Sequence, residues 1–236
     1  MELTGFSWSV LLAAMGVGVV HTVLGPDHYL PFLMIGRARG WSRTRTVSVA
    51  ATCGLAHILS SVALGSIGVL LGVTVGRLEQ MEGGRGSLAA WALVAFGVAY
   101  GLWGIRLAVR RKRGMAAHTH HGHVHLHSHG DRPHDHGPRV SGRGPTFWAL
   151  LTVFILGPCE PLIPLFMLPA SRGQWGLAVL ASAVFGAVTL ISMAALTLLG
   201  LAGLEQIRFG RLERWSHALA GAVIAVSGLS IITLGL

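Results

Sequence analysis

Apolar residues run along this chain in long uninterrupted stretches, separated by short polar segments. Six such stretches occupy residues 7–34, 46–75, 88–109, 146–168, 175–204 and 215–236. A helix needs about 20 predominantly apolar residues to cross the hydrocarbon core of a bilayer, and each stretch reaches that length. None carries the polar face at helical spacing that a soluble bundle would show. The predicted fold is therefore all-α, a polytopic membrane protein with six transmembrane helices and membrane lipid around it.

Charge sharpens this picture. Only 11% of the residues are charged, against about 25% in an ordinary soluble domain. A net charge of +9 would suit nucleic acid if it formed one patch, but the basic residues gather at the ends of the apolar stretches. Arg37, Arg39, Arg43 and Arg45 follow the first. Arg106, Arg110, Arg111, Lys112, Arg113, Arg132, Arg139 and Arg143 surround the gap after the third, and Arg208, Arg211 and Arg214 follow the fifth. With six spans these connections share one side and hold fifteen of the eighteen Lys and Arg residues; Arg77, Arg85 and Arg172 are left for the other. No nucleic-acid partner is expected. The basic side reads as cytoplasmic, which puts both termini outside the plasma membrane of a prokaryote. Met1-Glu2 has no basic n-region, so the first stretch reads as a retained span. Cys53 and Cys159 both lie inside apolar stretches and do not form a secreted-type disulfide framework.

The chain also repeats itself. Leu24-Gly25-Pro26-Asp27-His28 is followed by Pro31 and Met34, and Leu156-Gly157-Pro158-Cys159-Glu160 by Pro164 and Met167. An offset of 132 aligns the two motifs and continues to pair Gly54 with Gly186, His57 with Thr189 and Ser60 with Ser192; one inserted residue restores the proline and methionine matches. Residues 1–109 form the first three-helix repeat, 110–144 a histidine-rich connection, and 145–236 the second repeat. Three spans per copy make the second copy enter from the opposite face. The result is a 3+3 inverted repeat with broken first and fourth helices, an architecture used by secondary transporters.

Proline within a helix removes one hydrogen bond and clashes with the carbonyl four residues back, at about 3 kcal/mol. Pro26, Pro31, Pro158, Pro161 and Pro164 are expected to free the carbonyls of Thr22, Asp27, Phe154, Gly157 and Glu160. Such groups must be buried in protein or line a cavity. Directly after the Gly25-Pro26 and Gly157-Pro158 breaks come Asp27 and His28, and Cys159 and Glu160. An acidic residue at the bilayer centre costs roughly 2.5–3.5 kcal/mol, which argues for a functional role. In a straight helix His21 and His28 would stand about 10.5 Å apart along the axis, too far to share one ion; the break is what would bring them together. His57 in the second span is a further candidate. The expected metal-binding set is thus His21, Asp27, His28, His57, Cys159 and Glu160. Imidazole, thiolate and carboxylate together suit first-row transition metals better than magnesium or calcium.

Nine of the thirteen histidines lie in the central connection: His118, His120, His121, His123, His125, His127, His129, His134 and His136. With no apolar face to bury, this tract is expected to be disordered without a ligand. It would gather metal on the cytoplasmic side.

The run from His21 to Asp27-His28 resembles the first-helix His…Asp-His signature of the nickel/cobalt transporter superfamily. High-affinity nickel permeases place four residues between the first His and the Asp-His pair. Here there are five, which is the spacing of the hydrogenase- and urease-accessory permeases. The Gly-Pro-Cys-Glu element and the histidine tract are similar to the urease-accessory-like and efflux branches. The resemblance implies that His21, Asp27 and His28 bind nickel or cobalt, with zinc a further candidate, as transported cargo and not as a permanently bound cofactor. No Gly-x4-Gly-Lys-Ser/Thr loop is present. The expectation is therefore a proton-coupled secondary carrier and not an enzyme, with export the favoured direction. Two other classes compete. A membrane thiol/disulfide electron carrier would need Cys159 and Cys53 to meet. A sulfite-type anion exporter would use broken-helix N-termini, against which the inward Asp27 and Glu160 argue.

Overall fold

The computed structural model describes residues 5–113, 117–120, 123–126, 144–157, 159–206 and 210–234. In chain order these form α1 (Gly5–Leu24), a 3-10 turn (Pro26–His28), α2 (Leu30–Ala38), α3 (Arg43–Leu70) and α4 (Val75–Arg113). Strands β1 (Ala117–His120) and β2 (His123–Leu126) follow, then α5 (Pro145–Leu156), α6 (Leu162–Ser171), α7 (Trp175–Gln206), a second 3-10 turn (Gly210–Trp215) and α8 (Ser216–Leu234). Among the described residues, five segments are long and apolar enough to cross a membrane: α1, α3, α4, α7 and Glu213–Leu234, which is α8 with part of the turn before it. α5 and α6 are apolar but short. Large apolar side chains point outward, among them Leu12, Ile191, Leu199 and Val226, each more than 60% exposed. Such a surface belongs against lipid.

The breaks follow from the prolines. α1 stops at Leu24 because Pro26 has no amide to continue the ladder, although the Gly25 amide still reaches the His21 carbonyl at 3.0 Å. Pro31 sits in the first turn of α2, where a missing amide costs nothing, so it starts a helix instead of breaking one. Pro161 precedes α6 and Pro164 lies in its first turn. The Glu160 carbonyl, expected to be free, accepts from the Ile163 amide at 3.1 Å. Pro158 lies outside the described residues.

Helix boundaries recur along the chain. α1 and α5 end at Leu24 and Leu156, α2 and α6 begin at Leu30 and Leu162, and α3 and α7 begin at Arg43 and Trp175, each pair 132 apart. α2 and α6 also close with the same bonds. The Trp41 amide reaches the Gly36 carbonyl and the Gln174 amide the Pro169 carbonyl, both at 2.9 Å. In each case the glycine just before, Gly40 or Gly173, takes the positive φ that this helix end requires.

Two expectations are corrected. The third apolar helix begins at Val75, not at residue 88, so the glycine-rich, charged residues 76–87 are the first turns of a 39-residue helix. The histidine tract is not wholly without structure. β1 and β2 pair antiparallel, with His118 opposite His125 and His120 opposite His123. Strand pairing answers the backbone's hydrogen-bonding needs where side chains alternate with period two. His121, His127, His129, His134 and His136 lie outside the described residues.

α4 packs along α8, α3 against α7, α1 against α7, and both α5 and α6 against α3. The α4–α8 seam is built from small residues. A β-carbon at Gly97 would fall 2.7 Å from the Gly221 carbonyl oxygen, the close approach typical of membrane helix pairs. Ion pairs Arg37–Glu213 (3.8 Å) and Arg43–Glu205 bring the α2–α3 and α7–α8 connections to one end of the bundle.

Candidate metal centre

The two breaks lie side by side around α3. The 3-10 turn bends the chain so that the His21 and His28 rings stand 4.6 Å apart between centroids, in place of the straight-helix separation. α3 places His57 5.4 Å from His28 and 6.4 Å from His21, ring to ring. The second break delivers Cys159, whose Sγ lies 3.9 Å from His21 Nε2. Each of His21, His57 and Cys159 offers a donor atom within 4.8 Å of the other two. Four tetrahedral donors bound at zinc-like lengths would be about 3.3–3.8 Å apart. Closing this trio onto an ion therefore takes only a small contraction.

Two of the histidines are held by the nitrogen that faces away. His57 Nδ1 is 3.2 Å from the Phe154 carbonyl oxygen, which assigns the proton to Nδ1 and leaves a lone pair on Nε2. His28 Nδ1 is 3.1 Å from Asp27 Oδ1 and 3.2 Å from the Gly25 carbonyl oxygen, with the same consequence. Both Nε2 atoms are buried without a partner. Such atoms cost free energy unless something binds them. A ligating histidine whose other nitrogen donates to a carboxylate or carbonyl is the usual outer-shell arrangement of a metal site.

The expected set therefore divides. His21, His57 and Cys159 form the compact donor group and His28 packs edge-on against both other rings. Asp27 is engaged by His28 through Oδ1 and also lines the cavity. Glu160 is exposed and lies outside the donor group, although it lines the same cavity. Cys53 and Cys159 are both free and belong to different packed clusters, which counts against thiol exchange between them.

No protein-family model, curated protein or solved structure matches this chain.

Behind Cys159 lies a polar network that the sequence reading did not anticipate. The second break exposes the Phe154 and Ile155 carbonyls and the Cys159 amide. His57 donates to the first, Arg85 to the second at 2.8 Å, and Ser61 Oγ accepts from the third at 3.2 Å. Arg85 also donates to Ser60 Oγ at 3.1 Å and pairs with the fully buried Glu82. Helices α3 and α4 thus satisfy the backbone of the break, as a membrane interior demands. A cavity of about 720 Å³ opens beside this centre and is lined by His21, Asp27, His28, His57 and Glu160 among others.

Proposed function

We propose that the chain is a secondary transporter for a divalent transition-metal cation, nickel or cobalt first and zinc after them. The observation that carries this is the pair of buried, unpartnered Nε2 atoms on His28 and His57, with His57 in one donor group with His21 and Cys159 and the His28 ring 4.6 Å from that of His21. Nitrogen and sulfur donors select borderline first-row metals, and the His21–Asp27–His28 resemblance to nickel/cobalt carriers points the same way.

In this reading α5 and α6 together make the fourth of six spans, broken at its middle, and the chain is an inverted repeat. The recurring helix boundaries support it, as does one reciprocal contact. A β-carbon at Gly54 would meet Leu190 at 2.9 Å and one at Gly186 would meet Ile58 at 3.3 Å. Both residues of the first contact map onto the second at the offset of 132. Two copies related by a pseudo-two-fold axis give a site at their junction that rocking motions expose to either side in turn. Binding requires Cys159 as thiolate and the imidazoles neutral, so uptake of metal releases protons and a proton gradient can drive it. The basic end faces the cytoplasm, where the histidine tract collects ions for export.

The test is flux of radiolabelled nickel, cobalt and zinc into proteoliposomes, with and without a pH gradient. Nickel or cobalt flux should respond to the gradient, fall to background in His21→Ala and Asp27→Ala, and persist at saturating metal when residues 118–136 are deleted. Unchanged flux in both point variants would overturn the reading.

A further inference from the structure

The cavity beside the donors is much larger than a bare ion needs. Six waters at about 30 Å³ each bring a hydrated divalent cation to about 180 Å³, whereas the cavity holds about 720 Å³. That volume falls in the range of small-molecule sites, which are mostly apolar with a few convergent polar groups. Its walls match that description. From His21 back to Ala13 the cavity follows α1 for eight residues, about 12 Å at the helical rise. The lining residues that α1 supplies along this stretch before His21 are Ala13, Gly16, Val17 and Val20. α4 adds Gly86, Ser87, Ala90 and Leu93, and α8 adds Ile232.

The donor group points the same way. His21, His57 and Cys159 fill three positions on a metal, and even with His28 an octahedral ion would keep coordination positions open. Asp27 and Glu160, which also line the cavity, favour a cationic guest.

We propose, resting on the metal-transport reading above, that this site takes its metal as a small cationic complex with an apolar organic ligand, the metal end seated on the histidines and the organic end along α1, α4 and α8. The protein donors replace water on the metal; no bond within the organic ligand is made or broken.

The full-length protein in detergent is titrated with three probes: nickel alone, the 1:1 nickel–phenanthroline complex, and phenanthroline alone. The complex should bind about tenfold more tightly than nickel alone, and phenanthroline alone should not bind. Gly16→Leu places a side chain where the parent has nothing within 4 Å, so it fills the cavity without a clash. It should abolish the preference while leaving nickel affinity within about twofold, and Val20→Phe, at an exposed lining position, should do the same. Equal affinity for nickel and its complex, or binding of phenanthroline without metal, would overturn the proposal while leaving the metal centre intact. Failure of nickel itself to bind would overturn the metal centre, and this proposal with it.

Discussion

At the scale of single residues, His28 is fixed through Nδ1 by Asp27 and the Gly25 carbonyl. This leaves Nε2 buried without a partner, in a ring that stands 4.6 Å from that of His21 and 5.4 Å from that of His57. Asp27→Asn keeps the shape but loses the carboxylate that favours a proton on Nδ1. By the usual cost of removing an outer-shell partner, nickel affinity should fall by about 10–100-fold, read by isothermal titration, with little change in the melting temperature. An unchanged affinity would show that Asp27 does not orient a donor. The break and the resemblance marked Asp27 as a candidate ligand, but nothing in the sequence reports which atom of His28 the carboxylate meets. That is decided by the 3-10 turn, whose tight geometry sets residues 27 and 28 side by side.

Among the elements, the broken helix between α5 and α6 is held open by its neighbours. Arg85 of α4 satisfies the Ile155 carbonyl and pairs with Glu82, which has no exposure of its own. Removing one partner of a buried ion pair typically costs roughly 3–5 kcal/mol. Arg85→Ala should therefore lower the thermal midpoint of the solubilised protein sharply. Glu82→Gln together with Arg85→Met should cost less, since no charge is left stranded. Equal losses would mean that the pair itself contributes little. The breaks were legible because Gly25-Pro26 and Gly157-Pro158 interrupt apolar runs, and the structure ends α1 and α5 just before them. The Glu82–Arg85 network was not. Residues 76–87 contain four glycines and four charged residues, which read locally as a solvated connection. Their burial depends on partners such as Ser60 and Ile155, far away in sequence, whose carbonyls and hydroxyls make a charged helix turn tolerable.

On the scale of the whole molecule, the separation of apolar stretches from basic ends announced a membrane protein, and the structure supplies five helices able to cross with apolar outer faces. The proposed repeat rests on paired boundaries and on the Gly54–Leu190 and Gly186–Ile58 contacts. Neither half holds the donor set alone: His21, His28 and His57 come from the first and Cys159 from the second. The measurement that tests this most directly is the absorption spectrum of the purified protein titrated with cobalt. One ion per chain should bind with a thiolate-to-metal charge-transfer band, and the band should vanish in Cys159→Ser but survive in Cys53→Ser. Binding should weaken as pH falls, because protons compete for the sulfur and the imidazoles. A spectrum without thiolate character, or one that Cys159→Ser leaves unchanged, would contradict the joining of the two halves around a single metal ion.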